Sequence, residues 1–469
     1  MGVDICFLVF HGFSARMVLQ SEVIPSLKRG GLSVAVIAPN ADEDGMKEMA
    51  RSLGIAVYKA PHLESFLTGE YAVLRSYLFE DIRHNPALWA KHIRRLKVRE
   101  GRNPWRWIGP YIYYWTHLLA QRLPIIRKLF QKFEHSLLLN TKAAELLDKI
   151  NPSLVVSTYP INFSEATFMR TAQRQGRKTV IELLSWDNIT SKGHFPTLAD
   201  YFLSWGPIMT QEVKEYYSFP ADRICEVGVP HFDKHITIPT PQANAEYLKN
   251  LALDPKKPYL FFGMSAPLYC PHEIDIVEWI AQEVNKGTFG DVQFLVRLHP
   301  QNVRGDMADD TWLLRLEKMK GERVAVDYPI LEQSQLLWNT HQYDLVKLVN
   351  LIAGCAISLN SGSTLAIESL IHNKPVILTY FDAGFDVPWH KSIIRCANYI
   401  HIQKFLELGG AQVAHSFDEL KSQIQDALAN SSLEDDKRAY ALTQECGICD
   451  GKASFRIAEA LVKIRSGNF

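Results

Sequence analysis

Short apolar runs alternate with longer amphipathic stretches along this chain. That alternation predicts strand–helix–strand units built on parallel sheets. A first series of strands is expected at residues 5–10, 33–38, 56–58, 154–158, 178–184 and 201–204, with helices over 16–29, 143–149 and 162–175 among them. A second series is expected at 224–227, 259–263, 293–298, 324–326, 355–359 and 375–378. Between the two lies "PHFDKHITIPTPQANAEY", proline-rich and without a clear period, so the domain junction is placed near residues 231–245. A final helix over about 436–465 carries Ile457, Leu461 and Ile464 at helical spacing.

One segment departs from this rhythm. Residues 90–134 hold eleven Lys or Arg and two acids, and set among them are Trp105, Trp107, Tyr111, Tyr113, Tyr114 and Trp115. A helical period runs from 111 to 133, interrupted at Pro124. Cations beside Trp and Tyr suit an anionic membrane surface, where rings sit at headgroup depth. The plain alternative is an inserted helical pair with solvated charges and inward-packed rings. A nucleic-acid groove is a third reading, which the charge balance disfavours.

Composition narrows the class. The 469 residues exceed one ordinary core and fit two domains. The balance of 51 basic against 51 acidic side chains argues against a dedicated nucleic-acid binder. Seven scattered cysteines fit a reducing compartment rather than a disulfide framework. "MGVDICFLVFHGFSARMV" reads as a buried first strand and not a signal peptide, because Asp4 and His11 bracket a short apolar run. No run reaches 18 apolar residues, so no membrane span is expected. The location these features imply is cytoplasmic, at the inner face of the cell membrane if the basic segment meets lipid.

Four stretches carry candidate chemistry. In "ISLNSGSTLAIESLIHNKPVIL" a strand runs into Asn360, Ser361, Gly362, Ser363 and Thr364, then a helix. Free helix N–H groups, hydroxyls and a glycine that permits close approach suit an anion. Glu368, one turn on, is placed to accept ribose hydroxyls; an ordinary N-cap with a structural Glu is the bland reading. "FLVRLHPQN" ends a strand in Arg297 and His299, a cation pair for a diphosphate or else a structural pair. "IELLSWDNITSKG" runs from a strand into Ser185, Trp186, Asp187, Asn188 and Lys192, a polar loop suited to an acceptor, with Glu182 buried just before it. At the end of the first strand, His11 is a candidate base and Arg16 follows it. "CGIC" lacks the second ligand pair of a zinc site, and no G-x-S-x-G elbow is present.

Taken together, "RICEVGVPHFD", "RLHPQ", "ISLNSGSTLAIESLIHNKPVIL" and "GICDGKASFRIAEALVKI" resemble the GT-B superfamily. The likeness is to the branch that holds UDP-N-acetylglucosamine 2-epimerases, CDP-glycerol glycerophosphotransferases and bacterial surface-polysaccharide glycosyltransferases. It covers residues 150–469 well and the first 40 loosely, while 90–134 has no counterpart. It implies an α/β fold of two Rossmann-like parallel-sheet domains facing across a cleft: 1–235 for the acceptor, 236–435 for the donor, and 436–469 as a helix crossing back. It implies that the 361–364 turn takes the donor diphosphate, Glu368 the ribose, and Arg297 and His299 the phosphates. His11, or else Asp187, is then the base. The implied activity is metal-independent glycosyl transfer from a nucleotide-sugar, UDP-linked most readily, to a glycan or lipid-linked acceptor. No other cofactor is expected, and oligomeric state is left open. "ELLSWDN" stands where the 2-epimerases carry His-Val-Glu-Ala-Gly, which weighs against epimerisation. A CDP-polyol phosphotransferase, a 2-epimerase and a non-catalytic sugar-nucleotide binder are the alternatives.

Overall fold

A computed structural model describes residues 2–97, 104–304, 308–336 and 338–469. The chain forms two units: residues 1–230 with 334–336 and 452–469, and residues 231–333 with 337–451.

The first unit is built on seven strands: β1 (Ile5–Leu8), β2 (Val34–Ala38), β3 (Ala56–Lys59), β4 (Leu154–Ser157), β5 (Lys178–Glu182), β6 (Tyr201–Ser204) and β7 (Ile224–Glu226), in the order β3-β2-β1-β4-β5-β6-β7. All pair in parallel, with Phe7 set between Val36 and Val156. The central strands are buried throughout, which is why they read as continuous apolar runs. The helix Ala453–Ser466 returns to this unit and places Ile457, Leu461 and Ile464 in the core beside Phe7, Val36 and Val180.

The second unit carries β8 (Tyr259–Gly263), β9 (Gln293–Arg297), β10 (Val324–Asp327), β11 (Ile357–Asn360), β12 (Val376–Thr379) and β13 (Gln412–Ala414), in the order β10-β9-β8-β11-β12-β13, again all parallel. In each sheet the chain starts centrally, builds outward, then returns to build the other way. The switch falls between β1 and β4 in one unit and between β8 and β11 in the other. Open α/β sheets bind ligands beyond the carboxyl ends of their strands at such points.

Three expectations differ from the structure. The run at 224–227, expected in the second series, is the edge strand of the first sheet. The helix expected over 16–29 is two, Gly12–Val18 and Val23–Arg29. Pro25 explains the break: inside a continuous helix its ring would clash with the carbonyl four residues back, whereas in a new first turn it is tolerated. The helix expected over 436–465 is also two, Asp435–Cys446 and Ala453–Ser466, separated where Gly447 and Gly451 take positive φ.

Among the described residues five helices lie between β3 and β4: Phe66–Phe79, Pro86–Lys97, Trp105–Arg122 and Pro124–Leu137 form an insertion, and Thr141–Ile150 leads into β4. Trp105–Arg122 runs along Phe66–Phe79 in the same direction, since Tyr113 donates to Glu70 and His117 Nδ1 lies 3.0 Å from the Tyr77 carbonyl. Pro124–Leu137 runs back, with Arg127 on the Leu78 carbonyl and Glu134 on Arg75 and Tyr71. The aromatic residues divide: Tyr77 and Tyr113 are buried around Ile82, while Trp107, Tyr111 and Trp115 face solvent.

Candidate functional site

In the second unit, β11 ends in Asn360, which is wholly buried. Its Oδ1 accepts from the N–H of Gly362 (2.8 Å) and of Ser363 (3.2 Å), folding the chain into a side-chain-anchored turn. Gly362 has φ +90, and a Cβ there would lie 2.3 Å from Tyr380 Oη. Only glycine fits both the torsion and the space. Ser363 then caps the helix Thr364–Ile371, accepting from Leu365 N–H at 3.3 Å. Residues 362–365 are half-buried, so the turn reaches solvent at the switch point between β8 and β11. Among the described residues, Asn360 Nδ2 and Tyr380 Oη are buried without a hydrogen-bond partner. Unmatched polar atoms of this kind are uncommon in folded proteins.

Ser361 points the other way. Its hydroxyl donates to Glu273 at 2.5 Å and lies 3.1 Å from Thr379 Oγ1. Glu273 also accepts from Ser265 N–H at 2.7 Å, tying the loop after β8 to the turn after β11. Burial pushes the Glu273 carboxyl up to about 7, against the pull of those bonds. Nothing in the sequence marked Glu273 out: it reads as an ordinary acid in the first turn of the helix Glu273–Asn285.

The geometry corrects the expected phosphate ligands. Arg297 does not project from the sheet as a cation for a diphosphate. Its guanidinium is buried and bound to Asp327 and, at 2.6 Å, to Asp344, while Lys347 also reaches Asp327 at 2.5 Å. The amides of Gly362, Ser363 and Leu365 are likewise engaged within the turn. His299 does sit at the mouth, capping the short helix Pro300–Val303. Its Nδ1 accepts from Gln301 N–H at 3.1 Å, which leaves the neutral ring's proton on Nε2 as a donor. Burial, then the neighbouring Arg297 charge, hold its pKa down at about 4. Glu368 is buried, with Oε2 3.2 Å from His235 Nε2; His235 Nδ1 in turn lies 3.0 Å from His372. A ribose there would share Glu368 with His235.

In the first unit, His11 lies at the switch point between β1 and β4, its ring 5.5 Å from that of Tyr159. It caps the helix Gly12–Val18 by accepting from Phe13 N–H through Nδ1 at 3.2 Å, so the neutral ring again carries its proton on Nε2. Burial, then the Lys192 ammonium, lower its pKa to about 4. Lys192 pairs with Asp187 at 3.0 Å, and Asp187 accepts from Ser191 Oγ at 2.7 Å. His11, Asp187 and Lys192 are thereby brought together. Arg16 lies in the last turn of the helix that His11 caps. Ser185 donates its N–H to Asn188 Oδ1 at 3.0 Å, and Trp186 is buried, so these shape the loop. The inserted helices brace it: Asn85 donates to the Thr190 carbonyl, Lys91 to that of Ser191, and Arg75 to those of His194 and Phe195.

Glu182 closes β5 with both carboxyl oxygens buried and unmatched among the described residues. It pairs with Leu203 of β6, and Thr158, just past the end of β4, donates its hydroxyl to Ser14 of the helix that His11 caps. Burial raises its pKa to about 8. Glu165, holding the Ser157 hydroxyl and the amides of Thr158 and Tyr159, is raised to about 7 for the same reason.

No protein-family model matches the sequence, and no curated protein matches it. Solved structures do match the fold. A Listeria monocytogenes protein assigned as a UDP-N-acetylglucosamine 2-epimerase aligns over 100% of this chain and 96% of its own, with TM-score 0.59 and 11% identity. The Neisseria meningitidis UDP-GlcNAc 2-epimerase bound to UDP-GlcNAc aligns over 98% and 100%, at 0.54 and 10%. A glycosyltransferase from Rickettsia africae aligns over 98% and 99%, at 0.51 and 12%. The chain therefore has the GT-B architecture, two Rossmann-like parallel-sheet domains.

Proposed function

We propose that this protein is a glycosyltransferase that moves a sugar from a nucleoside-diphosphate donor, UDP-linked in the first instance, to an acceptor hydroxyl. The observation that carries this reading is the 360–364 turn. It lies at the switch point of the second sheet, fixed by Gly362 and open to solvent, with unmatched polar atoms of Asn360 and Tyr380 buried beneath it. The solved neighbours that carry UDP-GlcNAc give the ligand class.

In the donor half, the diphosphate sits at the start of the helix Thr364–Ile371, where the first turn and its dipole favour negative charge. Ser363 and Thr364 supply hydroxyls, and neutral His299 supplies an Nε2–H. Arg297 acts behind them by fixing the ends of β9 and β10. The bond from the anomeric carbon to the diphosphate breaks, the acceptor oxygen bonds to that carbon, and the acceptor proton leaves to a base. Asp187, an anion held by Lys192 and Ser191, is that base. His11 presents a donor, because its Nδ1 lone pair is already used by the Phe13 amide. No metal or further cofactor is required where charge is met by oriented N–H and O–H groups. A glycan or a lipid-linked glycan is the acceptor class.

Epimerisation at carbon 2 of UDP-GlcNAc is the second reading. It is favoured by the 2-epimerase neighbours and by three buried carboxyls, Glu165, Glu182 and Glu273, with pKa values near neutrality. Proton NMR of nucleotide-sugars with the protein separates the two. Transfer predicts nucleoside diphosphate only when an acceptor is added, and at least a hundredfold slower release in Asp187→Asn with nucleotide affinity retained. Conversion of UDP-GlcNAc without any acceptor would replace transfer by epimerisation.

A further inference from the structure

The inserted helices carry an apolar face that no other described residue of their unit covers. On Trp105–Arg122, Ile108, Ile112, Trp115 and Leu119 recur at helical spacing and all face solvent, Trp115 by 66%. On Pro124–Leu137 the row Ile125, Leu129 and Phe133 is likewise exposed, Phe133 by 59%. Both helices use other residues to hold Phe66–Phe79: Tyr113 and His117 on one, Arg127 and Glu134 on the other. The two rows therefore lie off the contacts that join the hairpin to its scaffold. Soluble surfaces rarely show so many large apolar side chains together, and where they do the patch is an interaction site.

The charge beside the rows selects the partner. Arg122 continues the row of Trp115 and Leu119, and Lys128 and Lys132 flank Leu129 and Phe133; all three are exposed. The segment 90–134 has only two acids, Glu100, which lies outside the described residues, and Glu134, which is buried against Arg75. A protein partner of ordinary composition needs no such one-sided charge, and neither does a second copy of the same basic face. An anionic bilayer surface needs both parts: apolar and Trp side chains for the headgroup–acyl boundary, and cations for lipid phosphate. Among the described residues no helix is long and apolar enough to cross a membrane, so the contact lies in the plane of the interface.

The geometry points to a peripheral membrane-docking surface, formed by the outer faces of Trp105–Arg122 and Pro124–Leu137, that takes anionic phospholipid. The neighbouring helix Pro86–Lys97, through Lys91 and the preceding Asn85, braces the loop bearing Asp187 and Lys192. Delivery of a membrane-tethered acceptor to that loop rests on the transferase reading; the docking itself does not.

Co-sedimentation with vesicles tests it. The full chain should pellet with vesicles of equimolar phosphatidylcholine and phosphatidylglycerol, pellet far less with phosphatidylcholine alone, and be released by high salt. Trp115→Ser with Phe133→Ser should weaken binding by about tenfold or more, as should Lys128→Glu with Lys132→Glu. These side chains are exposed, so circular dichroism and nucleotide affinity should not change. Wild-type protein left in the supernatant with anionic vesicles overturns the proposal. So does vesicle binding that the four substitutions leave intact, or self-association in solution that Trp115→Ser with Phe133→Ser abolishes in place of lipid binding.

Discussion

Gly362 is where a single side chain decides most. Its φ of +90 and the 2.3 Å approach of Tyr380 Oη both exclude a Cβ. Gly362→Ala is predicted to cost about 1–3 kcal/mol through backbone strain, read by denaturant unfolding, and to shift the turn under the helix Thr364–Ile371. Buried carboxyls set the pH dependence. Glu182 is raised from 4.5 to about 8, so it is neutral in the folded protein where the unfolded chain has already ionised. Its contribution is complete below pH 4.5 and is lost as pH rises through about 8. Glu182→Gln is predicted to leave stability near pH 4.5 unchanged, raise it by a few kcal/mol near pH 8, and flatten the slope between. His11 and His299 act in the opposite sense: lowered from 6.5 to about 4, they withdraw stability as pH falls through that window. A melting-temperature profile from pH 4 to 9 checks both signs.

At the scale of elements, the strands were legible because parallel sheets buried on both faces leave unbroken apolar runs. Breaks within helices were less so: Pro25 and Gly447 act through local backbone geometry that a count of apolar spacing passes over. Candidate residues divided for a related reason. The positions of His11 and the 360–364 turn were legible because each lies at or just past the end of an apolar strand. The fate of Arg297 was not, because Asp327 and Asp344 lie 30 and 47 residues away in sequence and meet it only once β9, β10 and the helix Gln342–Gly354 are packed. An arginine buried between two carboxylates cannot be removed singly without leaving charge uncompensated. Arg297→Ala is predicted to destabilise the second unit by about 3–5 kcal/mol. A milder Asp344→Asn should lower stability while leaving nucleotide affinity within about twofold, since Arg297 supports the site from behind.

Over the whole molecule, the sequence order and the structural units do not coincide. The chain enters the second unit after residue 230 and comes back at 452 to complete the first. Leu461, at the centre of the returning helix, belongs to the core of β1, β2, β4 and β5. Leu461→Ala should cost about 2–5 kcal/mol, with hydrogen exchange quickened in the first unit and not in the second. The fold class was readable from the alternating runs and the motif series. The exposed apolar face was half readable: composition showed the basic aromatic segment, but only the packing separates buried Tyr113 from exposed Trp115.

On the proposed function, the turn after β11 holds the diphosphate of a nucleotide. Isothermal titration of UDP, with GDP and CDP alongside, into wild type and Gly362→Ala tests it most directly. One of these nucleotides, UDP first, is expected to bind the wild type with 1:1 stoichiometry, and Gly362→Ala, folded by circular dichroism, to lose at least tenfold in affinity. No heat with any of the three, or equal affinity in the variant, would contradict it.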